Sequence, residues 1–517
     1  MEKTGRESFV KGAAILGLAG LICKVIGAFF RIPLYNMLGD GMQYYEAVYP
    51  YYSTLITIST AGLPTAISRM VAERVTLGDY IGAKRVFRKA QLLLLGFGVL
   101  TTGLMYGFAD ALALSTVGIG AALSFRAMAP ALLIVSLLCS YRGYLQGMQL
   151  MTGTAVSQLV EQAGKLVIGL LLASRWMHRG LEYGALGAVV GVTASELLAL
   201  LVIALFYLRR RRELMPPQSD LLPVNDRHIY RDLMLIAIPV TIGGSIMSIT
   251  GIVDASMIKR TLLDIGFSEA EASMRYVCLR TNVSSIINMP AVLTVALAMS
   301  LVPAVSAART RQDVAGVQNA SNMGIKLSML VGMPCTIGLL VLAGPAIDLL
   351  YDIDPTRLAI ATALMRTSAV SVVFLSLTQT LTGILQGLGR QNVPVINLAI
   401  GAGVKVLVMV LLMRNPDIEI QGAAISNVAC YLVAGLLDLL CLVRYTRLKI
   451  QWLNAVVKPV LASLVMGAAA FFSYVFVKSV IPSNAVAAGV AILAGGVLYL
   501  AVVLLSGMFA QEDRALM

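Results

Sequence analysis

Charged residues are scarce in this 517-residue chain, and their scarcity excludes a soluble globular protein. Asp, Glu, Lys and Arg together make up 13% of the sequence, whereas hydrophobic residues make up 58%. So little polar surface does not cover the exterior of a soluble fold. Long hydrophilic segments are equally scarce, which leaves no room for a soluble domain between the apolar runs. The chain is therefore expected to lie in a lipid bilayer.

Histidines and paired cysteines are lacking as well. His178 and His228 are the only histidines and lie far apart, which argues against a histidine-built metal centre. The six cysteines occur singly, without the spacing of a disulfide framework or a metal site. No phosphate-binding loop is present, and no large loop carries catalytic acids or histidines. The sequence thus predicts a protein that is not an enzyme and has no catalytic residues, metal or cofactor.

Apolar runs of roughly 20 residues recur along the whole chain, each long enough for a helix to cross the hydrocarbon core. Runs such as 92–100 and 456–477 are apolar on every face. This pattern favours helices over the alternating strands of a membrane β-barrel. We count about fourteen such runs and predict an all-α polytopic membrane protein.

The formal net charge of +13 would suggest nucleic acid binding in a soluble protein. Here the basic residues cluster in alternate loops, around 74–89, 209–212, 309–311 and 444–449, whereas the intervening loops are acidic or mixed. Lys and Arg collect in cytoplasmic loops, so topology accounts for most of the charge. We predict a multi-pass protein of the cell membrane with both termini in the cytoplasm and no nucleic acid partner.

An internal repeat divides the chain. The sequence Gly-Tyr-Leu-Gln-Gly at 143–147 recurs as Gly-Ile-Leu-Gln-Gly at 383–387, and the offset of 240 (383 − 143) also places Lys165 on Lys405. A weaker match joins 63–68 to 302–306. Two six-helix lobes of the same orientation are therefore expected. The predicted parts are an N-terminal lobe (1–212), a cytoplasmic linker (213–230), a C-terminal lobe (231–450) and two further helices with a tail (451–517).

Lysines and arginines inside the spans are candidates for substrate binding, because each costs on the order of 3 kcal/mol at a span centre. Lys24 and Arg31 are seven residues apart and share a helix face; snorkelling to the surface is the alternative for both. Lys165 has Glu161 four residues before it, so an intrahelical ion pair is its alternative role. Lys405 has no acid within four positions. This pattern predicts a cavity that accepts an anionic substrate.

Other ionisable residues are placed less deeply. Arg69 and Arg280 lie toward span ends and remain secondary candidates. A solvent-facing or headgroup-facing role is expected for Arg126, Arg142, Lys326 and Arg366. Asp254, inside the seventh span, either binds a coupling cation or pairs with a buried cation, and the same alternatives apply to Glu196 and Asp438.

Several motifs carry a family resemblance. The segments 9–16, 24–34, 62–73 and 288–297 resemble the polysaccharide-flippase branch of the MOP exporter superfamily, and most of all stage V sporulation protein B and the MurJ-like lipid II flippases. The resemblance covers essentially the full length. It implies two lobes that move an undecaprenyl-diphosphate-linked precursor from the inner to the outer leaflet by alternating access, in peptidoglycan biosynthesis, other polysaccharide biosynthesis or sporulation.

The resemblance also assigns residues. It implies that Lys24 and Arg31 stand where MurJ proteins have two arginines, here with lysine first and a spacing one residue longer. Arg69 falls near a second-span arginine of the family, and Arg280 lies about a turn from an eighth-span arginine. Some MurJ proteins have a sodium site with acids in the seventh and eleventh spans; the resemblance implies Asp254 as the first, whereas the eleventh span here has Asn397 and no acid.

The predicted function is a flippase for a polyprenyl-diphosphate-linked cell-envelope precursor, lipid II first. Coupling to the membrane potential or to a monovalent cation is expected, as is contact with cell-wall synthesis proteins. The alternatives are an exporter of other lipid-linked oligosaccharides of the Wzx type, or a MATE-type drug exporter, which should line its cavity with acids and aromatic residues. A membrane glycosyltransferase should have a large catalytic loop. A non-transporting scaffold is separable only by activity.

Overall fold

The computed structural model describes residues 2–60, 62–210 and 228–506, without the side chains of 2–14, 28 and 239. Throughout these ranges the regular secondary structure is helical, and none of the described residues forms a strand. The all-α prediction is confirmed.

Thirteen stretches of the described residues are long and apolar enough to cross a membrane. One of them, Ile15–Thr76, has 62 residues. At 1.5 Å per residue this length allows two crossings of a hydrocarbon core about 30 Å thick. The stretches therefore accommodate the fourteen predicted spans of a polytopic membrane protein.

The chain folds as two compact units, Met1–Lys259 and Arg260–Met517. The described residues of the first unit form ten α-helices. They are α1 (Glu2–Leu38), α2 (Met42–Thr60), α3 (Leu63–Thr76), α4 (Tyr80–Gly107), α5 (Ala109–Leu114), α6 (Ala122–Gly147), α7 (Met151–Gly164), α8 (Leu170–Trp176), α9 (Leu181–Arg210) and α10 (Ile229–Asp264), whose last residues enter the second unit.

Helix α6 is central to the first unit and packs against α3, α4 and α9, while α7 packs between α1 and α9. Leu94, Leu138 and Ile203 belong to one buried cluster with residues of α3 and of the start of α10. A short π-helix, Lys165–Gly169, joins α7 to α8. Such π-helical turns inside a helix are often found at functional sites.

In the part of the second unit that the structure describes, ten further α-helices follow. They are α11 (Glu269–Val277), α12 (Ser284–Ile287), α13 (Met289–Thr310), α14 (Val314–Val341), α15 (Ala343–Leu350), α16 (Pro355–Gly387), α17 (Asn392–Met413), α18 (Gln421–Thr446), α19 (Lys458–Val480) and α20 (Asn484–Leu505). Two further π-helical segments, Cys278–Val283 and Leu453–Val457, precede α12 and α19.

Helix α16 takes the central place in the second unit and packs against α13, α14 and α18. Its core includes Val305, Leu381 and Leu442. Helix α17 packs on α18, and α19 packs on both α14 and α20. The last two helices are thus attached to the second unit through α14.

The internal repeat is visible in how glycines allow helices to approach. A Cβ on Gly143 would lie 2.9 Å from the Pro64 carbonyl oxygen, and one on Gly383 would lie 2.7 Å from that of Ala298. Equivalent contacts thus pair Pro64 with Ala298, an offset of 234 (298 − 64), and not with Pro303 as the sequence match suggested. The two units repeat the same close helix packing in α3 with α6 and in α13 with α16.

The predicted lobe boundaries stay a prediction. The unit boundary by contacts falls within α10, after Lys259. Residues 211–227, which include most of the predicted linker 213–230, lie outside the described residues.

Candidate functional site

Lys165 lies at the centre of a buried charge network in the first unit. Its Nζ is 2.6 Å from Glu161 Oε1 and 2.9 Å from Glu196 Oε1, so it bridges α7 to α9. Arg142 of α6 donates from Nη2 to Glu161 Oε2 over 2.9 Å. The Lys165 side chain is 15% exposed and that of Glu196 only 3%. Two cations and two carboxylates therefore neutralise one another within three packed helices.

This network extends the intrahelical pair expected from the sequence. The Glu161–Lys165 spacing predicted one partner for Lys165, whereas the structure adds Glu196 from another helix. Breaking a buried pair leaves an uncompensated charge, which costs about 3–5 kcal/mol. Lys165 is consequently held by two carboxylates, and an anion that binds it must compete with both.

Arg142 and Lys326 show where the sequence analysis was wrong. Both were expected near span ends, facing solvent or headgroups. The Arg142 side chain is 13% exposed and contacts Ser157 and Glu161, and Lys326 is buried in α14. The sequence contains one sign of the buried role of Arg142. Two acids inside spans, Glu161 and Glu196, need two cations for neutrality, and Lys165 supplies only one. Lys259, buried in α10 and donating to the Val117 carbonyl, was missed altogether.

Arg31 lies at the other end of an aromatic chain that leads to the same network. Its Nη1 is 3.2 Å from Oε1 of the fully buried Glu46, and its guanidinium lies 5.4 Å from the centre of the Tyr49 ring. The rings of Tyr49 and Tyr52 follow at 6.0 Å, and the Tyr52 hydroxyl donates to Glu196 Oε1 over 3.2 Å. The first unit thus connects Arg31 to Lys165 through α2.

Lys24, unlike Lys165, is an exposed cation within a span. It is exposed on α1, and no carboxylate of the described residues forms an ion pair with it. Near it, α1 contacts α7 at Gly27, where a Cβ would lie 3.4 Å from Gln162 Oε1. Gln162 in turn donates to Glu161. The face of α1 with Lys24 and Arg31 therefore adjoins the buried network.

The remaining cationic candidates are divided between the units. Arg69 is in the first unit, where its Nε lies 2.9 Å from Glu73 Oε1, with side chains 67% and 60% exposed. Lys405 is buried on α17 of the second unit and is 4% exposed. Arg280 is partly exposed in the π-helix Cys278–Val283.

Intramembrane acids occur in both units. Asp254 of α10 is buried in the first unit. In the second unit, Asp438 of α18 is fully buried, and its Oδ1 accepts a hydrogen bond of 2.8 Å from Asn397 of α17. Among the residues that the structure describes, no group of three or more His, Cys, Asp or Glu side chains is placed to hold a metal ion. The assignment of individual residues to substrate or cation binding stays a prediction.

Comparison with known proteins gives the family. The model of the polysaccharide biosynthesis protein family matches residues 9–309, and the MatE model matches 280–411. Stage V sporulation protein B of Bacillus subtilis is 25% identical over 84% of this chain and 83% of its own length. The lipid II flippase MurJ of the same organism is 24% identical over 85% of this chain and 83% of its own.

A solved structure shares the fold. The lipid II flippase MurJ in an inward closed conformation superposes with a TM-score of 0.70 at 14% identity, over 96% of this chain and 99% of that one. With the helical spans, the repeated units and the family match over more than half of the sequence, the resemblance read from the motifs is confirmed. The chain belongs to the polysaccharide biosynthesis protein family and is a multi-pass membrane protein.

Proposed function

We propose that this transporter flips a polyprenyl-diphosphate-linked cell-envelope precursor, lipid II first, from the inner to the outer leaflet by alternating access. The observation that carries the proposal is Lys24, a cation within a span that is exposed and has no ion pair among the described residues. An unneutralised charge in a span is costly, and a diphosphate offsets that cost through charge-assisted hydrogen bonds. The name of one relative, a lipid II flippase, supports this substrate class.

We propose Lys24, Arg31, Lys165 and Arg69 of the first unit, and Lys405 and Arg280 of the second unit, as substrate-binding residues. The Arg31 side chain is 22% exposed beside the buried Glu46, and its guanidinium also lies over the Tyr49 ring. Lys165 contacts the diphosphate only if the diphosphate displaces the Glu161 or Glu196 carboxylate. This ranks Lys24 and Arg31 before Lys165 in the first unit.

Transport requires an orientation and an energy source. The loop charges favour both termini in the cytoplasm of a cell-membrane protein. An inside-negative potential acts on each transported charge with about 2.3 kcal/mol per 100 mV and helps to reset a cation-lined state. Asp254 is the proposed site for a coupling cation, because it is a buried intramembrane acid. Cell-wall synthesis proteins are the proposed partners.

Reconstituted vesicles test the function. The wild type should translocate fluorescent lipid II, and Lys24→Ala and Lys405→Ala should each reduce the rate by about tenfold or more, as expected for the loss of one charge-assisted contact. Arg126→Ala is the matched control, since it removes an exposed span-end cation that pairs with Asp110. Unchanged rates in both lysine variants would contradict the site, and no transport of any polyprenyl-linked glycan would contradict the function.

A drug exporter is the second candidate, because the MatE model matches 280–411. Such a transporter expels organic cations and requires acids in its cavity, whereas Lys24 and Arg31 repel them. Ethidium efflux from the same vesicles separates the two activities. Efflux without movement of lipid II would favour the exporter.

A further inference from the structure

A cavity of ≈ 490 Å³ opens at one end of the second unit, where α13, α16 and α18 end and α14 begins. Arg309 and Arg447 line it together with Gln312, Asp313 and Tyr445. This volume is within the range of small-molecule sites. The loops that meet here are among those rich in Lys and Arg, so the cavity faces the side predicted to be cytoplasmic.

The cavity is cationic. Among the described residues, neither Arg309 nor Arg447 forms an ion pair with a carboxylate. A third cation stands at its edge, because the Arg390 guanidinium lies 5.0 Å from the centre of the Tyr445 ring. Guanidinium groups bind phosphate oxygens in a bidentate manner and are well suited to this chemistry.

The first unit has an ion pair at the equivalent corner. There Asp79 begins α4 and its Oδ1 accepts from the Gly82 amide over 2.7 Å, while its Oδ2 binds Arg74 Nη1 at 2.8 Å. In the second unit Asp313 begins α14 and accepts from the Gly316 amide over 2.8 Å.

The arginine has no counterpart in the second unit. At the structural offset of 234 (313 − 79), the position of Arg74 is occupied by Ala308. Among the described residues, Asp313 forms no ion pair equivalent to that of Asp79 with Arg74, and Arg309 and Arg447 line the cavity beside it.

We propose that this cavity binds the phosphodiester headgroup of an anionic lipid of the adjacent leaflet, at a site separate from the transport path. The guanidinium groups of Arg309 and Arg447 take the phosphate. Tyr445 and Val314, both exposed, offer an apolar wall at the level where the spans end. Basic pockets at this level suit lipid headgroups.

The negative charge of Asp313 favours a lipid phosphodiester over free phosphate as the ligand of this cavity. Its carboxylate lines the cavity beside the arginines and repels a phosphate dianion more than the monoanion of a phosphodiester. It also accepts hydrogen bonds from headgroup hydroxyls. The site therefore favours a hydroxylated phosphodiester such as phosphatidylglycerol over inorganic phosphate.

Equilibrium binding of a short-chain phosphatidylglycerol to the purified full-length protein tests the site. The variant Arg309→Gln with Arg447→Asn should bind about tenfold or more weakly, because two charge-assisted contacts are lost. Asn is chosen at 447 because the backbone there has φ 52°, which Asn tolerates. The control is Arg311→Gln with Arg444→Gln, which removes the same charge from neighbouring positions outside the cavity lining.

The outcomes are separable. A loss confined to the cavity variant, with weaker binding of phosphatidylcholine and no displacement by inorganic phosphate, supports the proposal. Equal losses in both double variants would show diffuse surface attraction, and displacement by phosphate would show a free-anion site; either overturns it. If the cavity variant does not fold, Gln312→Asp should weaken binding by adding a negative charge. The readout is lipid binding alone, so it stands whether or not the protein flips lipid II.

Discussion

Lys165 and Glu196 form an ion pair of 2.9 Å between the π-helix Lys165–Gly169 and α9, and the Tyr52 hydroxyl binds the same carboxylate oxygen. One lysine thereby joins three elements of the first unit. Such a pair fixes the relative position of its helices because each partner is costly to leave alone in a buried site. The network stabilises the packing of these helices. It becomes a ligand site only when an anion replaces one of the two carboxylates.

Glu196→Gln should lower the free energy of unfolding by about 3 kcal/mol, because it leaves the buried network with one excess positive charge. Thermal unfolding in detergent measures the effect. The matched control is Glu73→Gln, whose exposed pair with Arg69 is worth about 0.5 kcal/mol. Adding Lys165→Met to Glu196→Gln should recover part of the loss, and strictly additive losses would argue against coupling of the pair.

Gly143→Ala should destabilise the first unit by about 1–3 kcal/mol, because the new methyl group meets the Pro64 carbonyl oxygen at 2.9 Å. Gly383→Ala should do the same in the second unit. Gly103→Ala is the control, since nothing lies within 4 Å of a Cβ there and alanine favours the helix. Equal stability of Gly143→Ala and Gly103→Ala would disprove the close approach of α3 and α6.

Asp79 should make stability depend on pH. Partial burial opposes its ionisation, but hydrogen bonds from Arg74 and from the Gly82 amide outweigh burial and hold the pKa of this loop carboxyl below its usual value. A lowered pKa means that the stabilisation is complete above the unfolded pKa of about 3.9 and is lost as pH falls through the folded value.

The variant Asp79→Asn tests this directly. Asn still caps α4, so the variant mainly loses the ion pair with Arg74 and should be less stable by about 1 kcal/mol at pH 7. The difference in the free energy of unfolding between wild type and variant should shrink when unfolding is measured at pH values below about 4. A difference that stays constant down to pH 2 would exclude ionisation of Asp79 as its origin.

Asn397→Ala should destabilise the second unit by about 1–3 kcal/mol, because it removes the hydrogen bond of 2.8 Å to the buried Asp438 carboxylate. Asn415→Ala, in an exposed loop, is the control. Thermal unfolding again gives the measurement. If both variants unfold at the wild-type temperature, Asp438 does not depend on Asn397.

The helical spans were predictable because hydrophobic runs of sufficient length fix a helix in a bilayer whatever their neighbours are. The repeat was predictable from the glycine motifs at 143–147 and 383–387, and the glycines indeed mark close helix contacts. The alignment of α3 with α13 was not predictable. The sequence match places Pro64 on Pro303, whereas the helix contacts place Pro64 on Ala298.

The sequence by itself determined the bilayer location, the helical fold and the family, because each follows from local hydrophobicity or from contiguous motifs. Only the tertiary structure decided which cations are neutralised. The partner of Lys165 on the same helix is fixed by the helical period, but Glu196 and Arg142 reach the network from other helices, at distances set by how α6, α7 and α9 pack. That packing distinguishes Lys165, which is paired with two carboxylates, from the exposed Lys24.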